Sequence, residues 1–472
     1  MGDVRTTDVR NGDLSDLRIS AEQLVRMVGE WREPGTSLVA ALAGAIREAV
    51  LDGRLRTGGR LPAERRLAAA LGVSRGTLTA ALTTLRDGGW LHTRHGSAST
   101  VRLPPAAAAH IAPLSATGEA GAMDLRQAVP AAPRAAYQAA MLRAAERADP
   151  VLAQDGEPGP GLPELRSLIA RRHTDEGLPT RPEQILVTSG ARAALALIAA
   201  HLRPRVAAVE IPTYFGALPL LRGAGARLTG CRVTGDGWDL DQLDDSFRAA
   251  RGGLAYLVPD FQNPTGALMT PRTRRAVAES AARHRVTVVA DETMRDLDLR
   301  EDAGSRAAPP RIRRALLIGS AAKTVWGGLR IGWIRGPAGL IGELSRDPLC
   351  PPLSASPMQQ LVAAELLSDP MPVLLPRRAE LRRQRDHLAG LLAGDERWSF
   401  GVPSGGLALW LRLAGARADA VAARARALGV EVSPGPGFAA DRTLTHYLRL
   451  PYTPPTSALD RVAAVLDAAY GP

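Results

Sequence analysis

Apolar positions recur along the chain in two rhythms, and each predicts a different kind of element. Between residues 37 and 85 the rhythm is helical. Ser37 can cap a helix that carries Leu38, Leu42, Ile46 and Val50 on one face and stops at Asp52-Gly53. Pro62 suits the first position of a second, short helix ending at Gly72. Ser74 caps a third, with Leu78, Leu82 and Leu85 on one side. The joint Leu71-Gly72-Val73 makes the last two a helix-turn-helix, and Trp90 to Arg102 reads as a small hairpin bent at Gly96. A short helix over 21–33 is expected ahead of this group, and residues 1–20 read as irregular and disordered.

After residue 123 the rhythm changes to short apolar runs of strand length, separated by helical stretches. Strands are expected at 184–188, 206–210, 254–258, 286–290 and 315–319. Each is followed by a polar group: Gly190-Ala191-Arg192, Tyr214, Asn263-Pro264-Thr265-Gly266, Asp291, and Ser320 with Lys323. Ligands of open α/β sheets bind just past the C-terminal ends of the strands, so five such ends form a coherent cluster. Small residues at 189–194 also open a helix whose amides can face an anion. From about residue 337 come helices rich in Leu, Ala and Arg, including 376–392. Strands near 407–411, 430–432 and 446–450 and a last helix from Ser457 complete the chain. Residues 103–122, rich in Pro, Ala and Gly, read as a tether.

Composition narrows this picture. A length of 472 residues with 45% hydrophobic content suits two to four domains. There is no apolar run of about eighteen residues and no apolar signal at Met1–Arg5, so a bacterial-type cytoplasmic protein with no membrane span is expected. Cys231 and Cys350 lack metal-ligand spacing; reduced thiols and no metal are expected. The segment 37–102 holds ten arginines against four acids, about half of the chain's net +11, and suggests a nucleic-acid footprint.

The 59 basic side chains include a single lysine, Lys323. Biased coding can explain why lysine is scarce, but not why the survivor stands at a strand end between Ser320 and Arg330. Arginine can replace lysine on a solvated surface, yet its guanidinium cannot act as an amine nucleophile. Lys323 is therefore the candidate for imine chemistry.

Two resemblances follow from these words. Gly53-Arg54-Leu55, Arg60-Leu61-Pro62-Ala63-Glu64-Arg65, Leu71-Gly72-Val73-Ser74-Arg75 and Arg94-His95-Gly96-Ser97 make residues 37–102 resemble a GntR-type winged helix-turn-helix. That resemblance implies an operator in double-stranded DNA. Arg65 would hold phosphate, Ser74, Arg75, Thr77 and Thr79 would face phosphates and base edges, and His95 and Gly96 would be wing-tip contacts. Residues 123–472 resemble the fold type I aminotransferases that use pyridoxal 5′-phosphate, on Asn263-Pro264-Thr265-Gly266 and on Ser320-x-x-Lys323 with Arg330. This implies a large mixed-sheet domain plus a small α+β domain at about 337–472. Lys323 would form a Schiff base with the cofactor. Asp291 would hold the pyridine nitrogen, Asn263 the phenolate oxygen, and Tyr214 would stack on the ring. Gly190, Ala191, Arg192, Ser320 and Arg330 would take the phosphate, and Arg449 would clamp an α-carboxylate.

The fusion is similar to the MocR (PdxR/GabR-like) regulators, with residues 1–36 an extension and 103–122 the linker. It implies a homodimer through the aminotransferase-like domain, which senses pyridoxal 5′-phosphate or a small amino compound through an external aldimine. Several residues depart from the aminotransferase pattern: Met294 and Ala408 where tyrosine and histidine are frequent, and Ala322 for serine. Three readings stay open: a sensor with little or no turnover, a working aminotransferase carrying a DNA-binding domain, and a DNA-binding protein with a vestigial site.

Overall fold

In a computed structural model the described residues are 18–32, 35–93, 98–104, 123–156, 159–301 and 309–471. The chain divides into two compact units, Met1–Ile111 and Ala112–Pro472. His95 and Gly96, residues 1–17 and the tether at 105–122 lie outside the described residues.

The described residues of the first unit form four helices, α1 (Ala21–Val28), α2 (Leu38–Leu51), α3 (Glu64–Leu71) and α4 (Arg75–Asp87), and a ribbon of β1 (Leu91–His92) with β2 (Thr100–Val101). Caps set the boundaries as the sequence indicated. Ser37 accepts from the Ala40 amide at 3.2 Å, and Ser74 from the Thr77 amide at 3.0 Å. Gly72 takes the left-handed conformation (φ 63°) that ends α3 and turns the chain into α4. Two expectations change. Pro62 does not start α3, because Arg60 and Leu61 are held extended against Thr100 and Ser99 of the ribbon, so the helix begins only at Glu64. The folded unit also begins ahead of Ser37: Leu24, Val28 and Trp31 are buried in the same core as Leu42, Ile46, Leu78 and Leu82. Alone, the one apolar face of an eight-residue helix did not reveal a core partner.

The second unit is organised on an eight-stranded sheet. Its strands are β4 (Ile185–Thr188), β5 (Val206–Ile211), β6 (Arg227–Thr234), β7 (Gly237–Trp238), β8 (Leu254–Leu257), β9 (Thr287–Asp291), β10 (Leu316–Ser320) and β11 (Gly332–Arg335). The order is β4-β11-β10-β9-β8-β5-β6-β7, with β10, β9, β8, β5 and β6 parallel and β11 antiparallel to both its neighbours. The five strands read from apolar runs are all present. β6 and β11 escaped notice because neither is a clean apolar run: Gly332-Trp333-Ile334-Arg335 is too short and mixed.

A second sheet, of order β12-β13-β16-β15, contains Trp398–Ser399, Ala408–Leu413, Tyr447–Pro451 and Ser433–Pro434 respectively. A separate parallel pair joins β3 (Met123–Asp124) to β14 (Val430–Glu431). The helix expected over 376–392 starts earlier, at Met371, and passes through Pro376. Pro376 stands in its second turn, where the missing N–H removes a single ladder bond.

Because Leu24 is fully buried in the core of the first unit, Leu24→Ala should destabilise that unit by about 2–5 kcal/mol. Amide exchange should quicken across residues 38–91, which share the core that Leu24 joins.

Candidate functional site

Parallel pairing decides where the candidate side chains meet. β5, β8, β9 and β10 point the same way, and β4, two antiparallel steps from β10, shares their direction. Tyr214, Asn263, Lys323 and Gly190 therefore follow the C-terminal ends of strands at one edge of the sheet, and Asp291 is the last residue of β9 at that edge. Register brings Asp291 opposite Ile318 on β10, so the carboxylate lies beside the strand that leads to Lys323.

Asp291 is buried, and burial pushes its carboxyl above the usual range, against the donors that favour ionisation. Tyr256 donates to Oδ2 at 2.6 Å and the Thr293 amide to Oδ1 at 3.0 Å. Lys323 donates from Nζ to the Ala128 carbonyl at 2.8 Å. Burial and the nearby Arg449 guanidinium pull its amine down to about 8, opposed by Asp291. The phenol of Tyr214 is raised by burial, with Arg192, Arg449 and Arg330 opposing and Asp291 assisting, so these groups share one electrostatic neighbourhood.

At the end where the sequence placed a phosphate stands Ala191–Leu202, a helix whose N-cap is Gly190 at φ 122°. No side chain but glycine's adopts that conformation readily. A Cβ on Gly332 would come within 2.5 Å of the Gly190 carbonyl carbon, so the close approach of β11 also requires glycine. Arg330 is exposed and forms no hydrogen bond with another described residue. Ser320 is turned inward: its hydroxyl donates to the Ile331 carbonyl at 2.8 Å and accepts from the Ala322 amide at 3.1 Å.

Arg449 is not a surface charge; it is 1% exposed. Its guanidinium lies 4.9 Å from the Phe438 ring centroid and 5.8 Å from that of Phe215. It donates to the Arg126 carbonyl, and burial brings it down to about 10. Arg126 belongs to a strap that begins at β3. Arg126 pairs with Asp124 at 3.0 Å and Glu431 at 2.8 Å, and the Leu125 amide donates to the Glu431 carbonyl at 2.8 Å. Further along, the Ala131 carbonyl accepts from Arg377. Main-chain oxygens at 126, 128 and 131 thus receive Arg449, Lys323 and Arg377.

Sequence reasoning missed this strap, because backbone carbonyls leave no residue-type signature. It also missed Tyr256 and Phe215, and the buried Glu210, which burial lifts to about 8. Glu210 accepts from Trp238 at 2.8 Å, the Val258 amide at 3.1 Å and Gln262 at 2.9 Å. Gln262 also donates to the Pro212 carbonyl at 2.7 Å, tying together the loops that carry Tyr214 and Asn263. Met294, in place of a ring-facing tyrosine, is buried in the core shared with the small sheet.

In the first unit, Arg65 and Arg75 are exposed at the starts of α3 and α4. Ser74 and Thr77 share a 2.8 Å bond at the start of α4, and Thr79 donates to Glu64 at 3.1 Å, which also receives Arg86 at 2.9 Å. Thr79 therefore also joins α4 to α3.

Residues 123–466 match the family model described as aminotransferase class I and II, and residues 38–101 that of bacterial regulatory proteins, gntR family. The chain is 28% identical over 403 residues to the uncharacterized HTH-type transcriptional regulator YisV of Bacillus subtilis, covering 78% of this chain and 82% of that one. It is 29% identical over 340 residues to the probable rhizopine catabolism regulatory protein MocR of Rhizobium meliloti, covering 64% and 66%. Among solved structures it is similar to LysN, an α-aminoadipate aminotransferase of Thermus thermophilus complexed with N-(5′-phosphopyridoxyl)-L-leucine. That likeness has a TM-score of 0.66 and 25% identity over 74% of this chain and 92% of that one.

The charges around Lys323 make its reactivity titratable. Reductive labelling followed by peptide mapping should give a midpoint near pH 8 at Lys323. The midpoint should rise in Arg449→Gln, which removes a repelling cation, and fall in Asp291→Asn, which removes an attracting anion.

Proposed function

This chain belongs to the aminotransferase class I and II family through residues 123–466, with a gntR-type DNA-binding region ahead of it; on that premise we propose a MocR-type transcriptional regulator that binds pyridoxal 5′-phosphate and senses an amino compound. The residues fit the cofactor. Gly190 and Gly332 keep side chains away from the helix N-terminus, Arg330 two residues from Gly332 has no hydrogen bond to another described residue, and a buried carboxylate shares its electrostatic neighbourhood with the one lysine. When bound, the cofactor supplies an aldehyde carbon able to take up an amine and a ring able to accept electrons.

Each group has its part in this reading. Asp291 would keep a proton on the pyridine nitrogen, Asn263 would donate to the ring oxygen, and Tyr214 would cover the ring face. The amides of Gly190, Ala191 and Arg192 would hold the phosphate with Arg330 and, after rotation of its hydroxyl, Ser320. Arg449 would hold the carboxylate of the ligand.

The observation that carries the regulatory reading is the strap. Lys323 and Arg449, the two groups an amino acid must engage, both donate to strap carbonyls, at Ala128 and Arg126. A carboxylate is a stronger acceptor for a guanidinium than a peptide oxygen is, so a ligand that takes Arg449 displaces the strap. The strap follows directly in sequence on residues 103–122, which join the DNA-reading unit to the site. A ligand with different affinities for the strapped and released forms shifts the balance between them. Two copies would pair through the second unit, for which exposed Met141, Leu142 and Leu152 offer apolar area.

A second reading, a working aminotransferase, is favoured by the amine of Lys323, which at about 8 is partly unprotonated near neutrality. Single-turnover transamination over a panel of L-amino acids separates the two: efficient turnover, with operator binding indifferent to ligand, would favour the enzyme. For the regulator, Arg75→Ala should cost about 1–3 kcal/mol of operator affinity in a titration at fixed salt. In cofactor-loaded protein, adding an L-amino-acid ligand should speed amide exchange at residues 123–131. Arg449→Gln should make that segment exchange faster before any ligand is added.

A further inference from the structure

Tyr256 stands in the middle of β8, where a buried aromatic ordinarily serves only the core. Its surroundings give it a second task. β8 and β9 are parallel neighbours with Tyr256 opposite Val289 and Leu257 opposite Ala290. Side chains alternate along a strand, so Tyr256, Val289 and Asp291 lie on one face of the sheet, with Asp291 one pleat beyond Tyr256. The length of a phenol spans that step, and its hydroxyl reaches Asp291 Oδ2 at 2.6 Å.

Asp291 needs such a donor. It is buried and forms no ion pair with another described residue. A buried carboxylate without a paired cation is driven toward its neutral form unless hydrogen bonds to the ionised form hold it. Two residues supply them. Thr293 gives its amide to Oδ1, from the turn that Asp291 itself begins, and its hydroxyl also favours the ionised form. The other is Tyr256, which is fully buried and whose own ionisation is strongly opposed by burial and by Asp291, so it remains a donor.

We infer that Tyr256 is a positioning residue for the cofactor site: its hydroxyl fixes the rotation of the Asp291 carboxylate and keeps it ionised, so that Asp291 can hold a proton on the pyridine nitrogen. The inference rests on the pyridoxal 5′-phosphate reading for its consequence, but its first step, the effect on Asp291, needs no cofactor. It also gives a chemical reason for a tyrosine at 256 rather than the phenylalanine that would fill the same space.

The test uses Tyr256→Phe, which keeps the ring and removes only the donor, in the full-length chain. Lys323 is the chain's one lysine and feels the charge of Asp291. In cofactor-free protein the pH midpoint of reductive labelling at Lys323 should therefore fall in Tyr256→Phe, toward its value in Asp291→Asn. In the Asp291→Asn background, Tyr256→Phe should move it no further, because the two act as one unit. With cofactor bound, Tyr256→Phe should release it roughly tenfold faster, the scale of one lost bond to a buried charged acceptor, and should shift the pH titration of its visible absorbance. A folded Tyr256→Phe protein whose Lys323 midpoint equals the wild type's overturns the inference, as does an equal shift in the Asp291→Asn background. If wild-type protein takes up no cofactor, the pyridoxal reading fails, while the Lys323 midpoint still decides what Tyr256 does to Asp291.

Discussion

The parallel pairing of β9 with β10 is the constraint on which the rest depends. It puts a carboxylate at the end of one strand beside an amine just past the end of the next, inside a sheet covered well enough to keep both poorly hydrated. Burial pushes each of them toward its neutral form. Neighbours oppose that effect: Tyr256 and Thr293 for Asp291, and the charge of Asp291 for Lys323, whose ammonium also donates to the Ala128 carbonyl. Low dielectric strengthens these contacts and equally raises the cost of losing one.

The same logic explains the strap. Arg449 is buried between Phe215 and Phe438, where a guanidinium without an acceptor would be costly. The Arg126 carbonyl meets part of that need at one terminal nitrogen, while Nε has no acceptor among the described residues. The strap is in turn anchored by a short parallel pair, β3 with β14, and by Arg126 bridging Asp124 and Glu431. Its far end is held by Arg377. The segment is thus fixed at both ends and held in its middle by Arg449 and Lys323.

Elsewhere the abundance of arginine is put to structural use. Glu176 at the end of the helix 163–175 receives Arg295 at 3.1 Å and Arg311 at 2.6 Å, Arg311 also meets Glu292 at 2.9 Å, and Arg274 meets Asp260 at 2.7 Å. These side chains are largely buried, and a planar fork with several donors can satisfy more than one carboxylate there. Such bonds brace the loop after β9 from outside the ligand site. A lysine could not make the same bidentate contacts, and none stands there.

Much of this was legible in residue order. Apolar runs revealed five strands because a strand buried on both faces must be continuously apolar, and Ser37, Ser74 and Gly72 marked helix ends because capping is local chemistry. The placing of Gly190, Tyr214, Asn263 and Lys323 just past strand ends was also readable, and Asp291 falls one residue short of that, as the last residue of β9. Local sequence could not reveal what depends on partners distant in the chain. The turning of Ser320 toward Ile331, the burial of Arg449 and the role of Tyr256 follow from strand register and from main-chain atoms. The Arg126 and Ala128 carbonyls that receive Arg449 and Lys323 belong to residues 323 and 195 positions away in sequence. A peptide oxygen is the same in every residue, so only the tertiary fold decides which of them meets a buried cation.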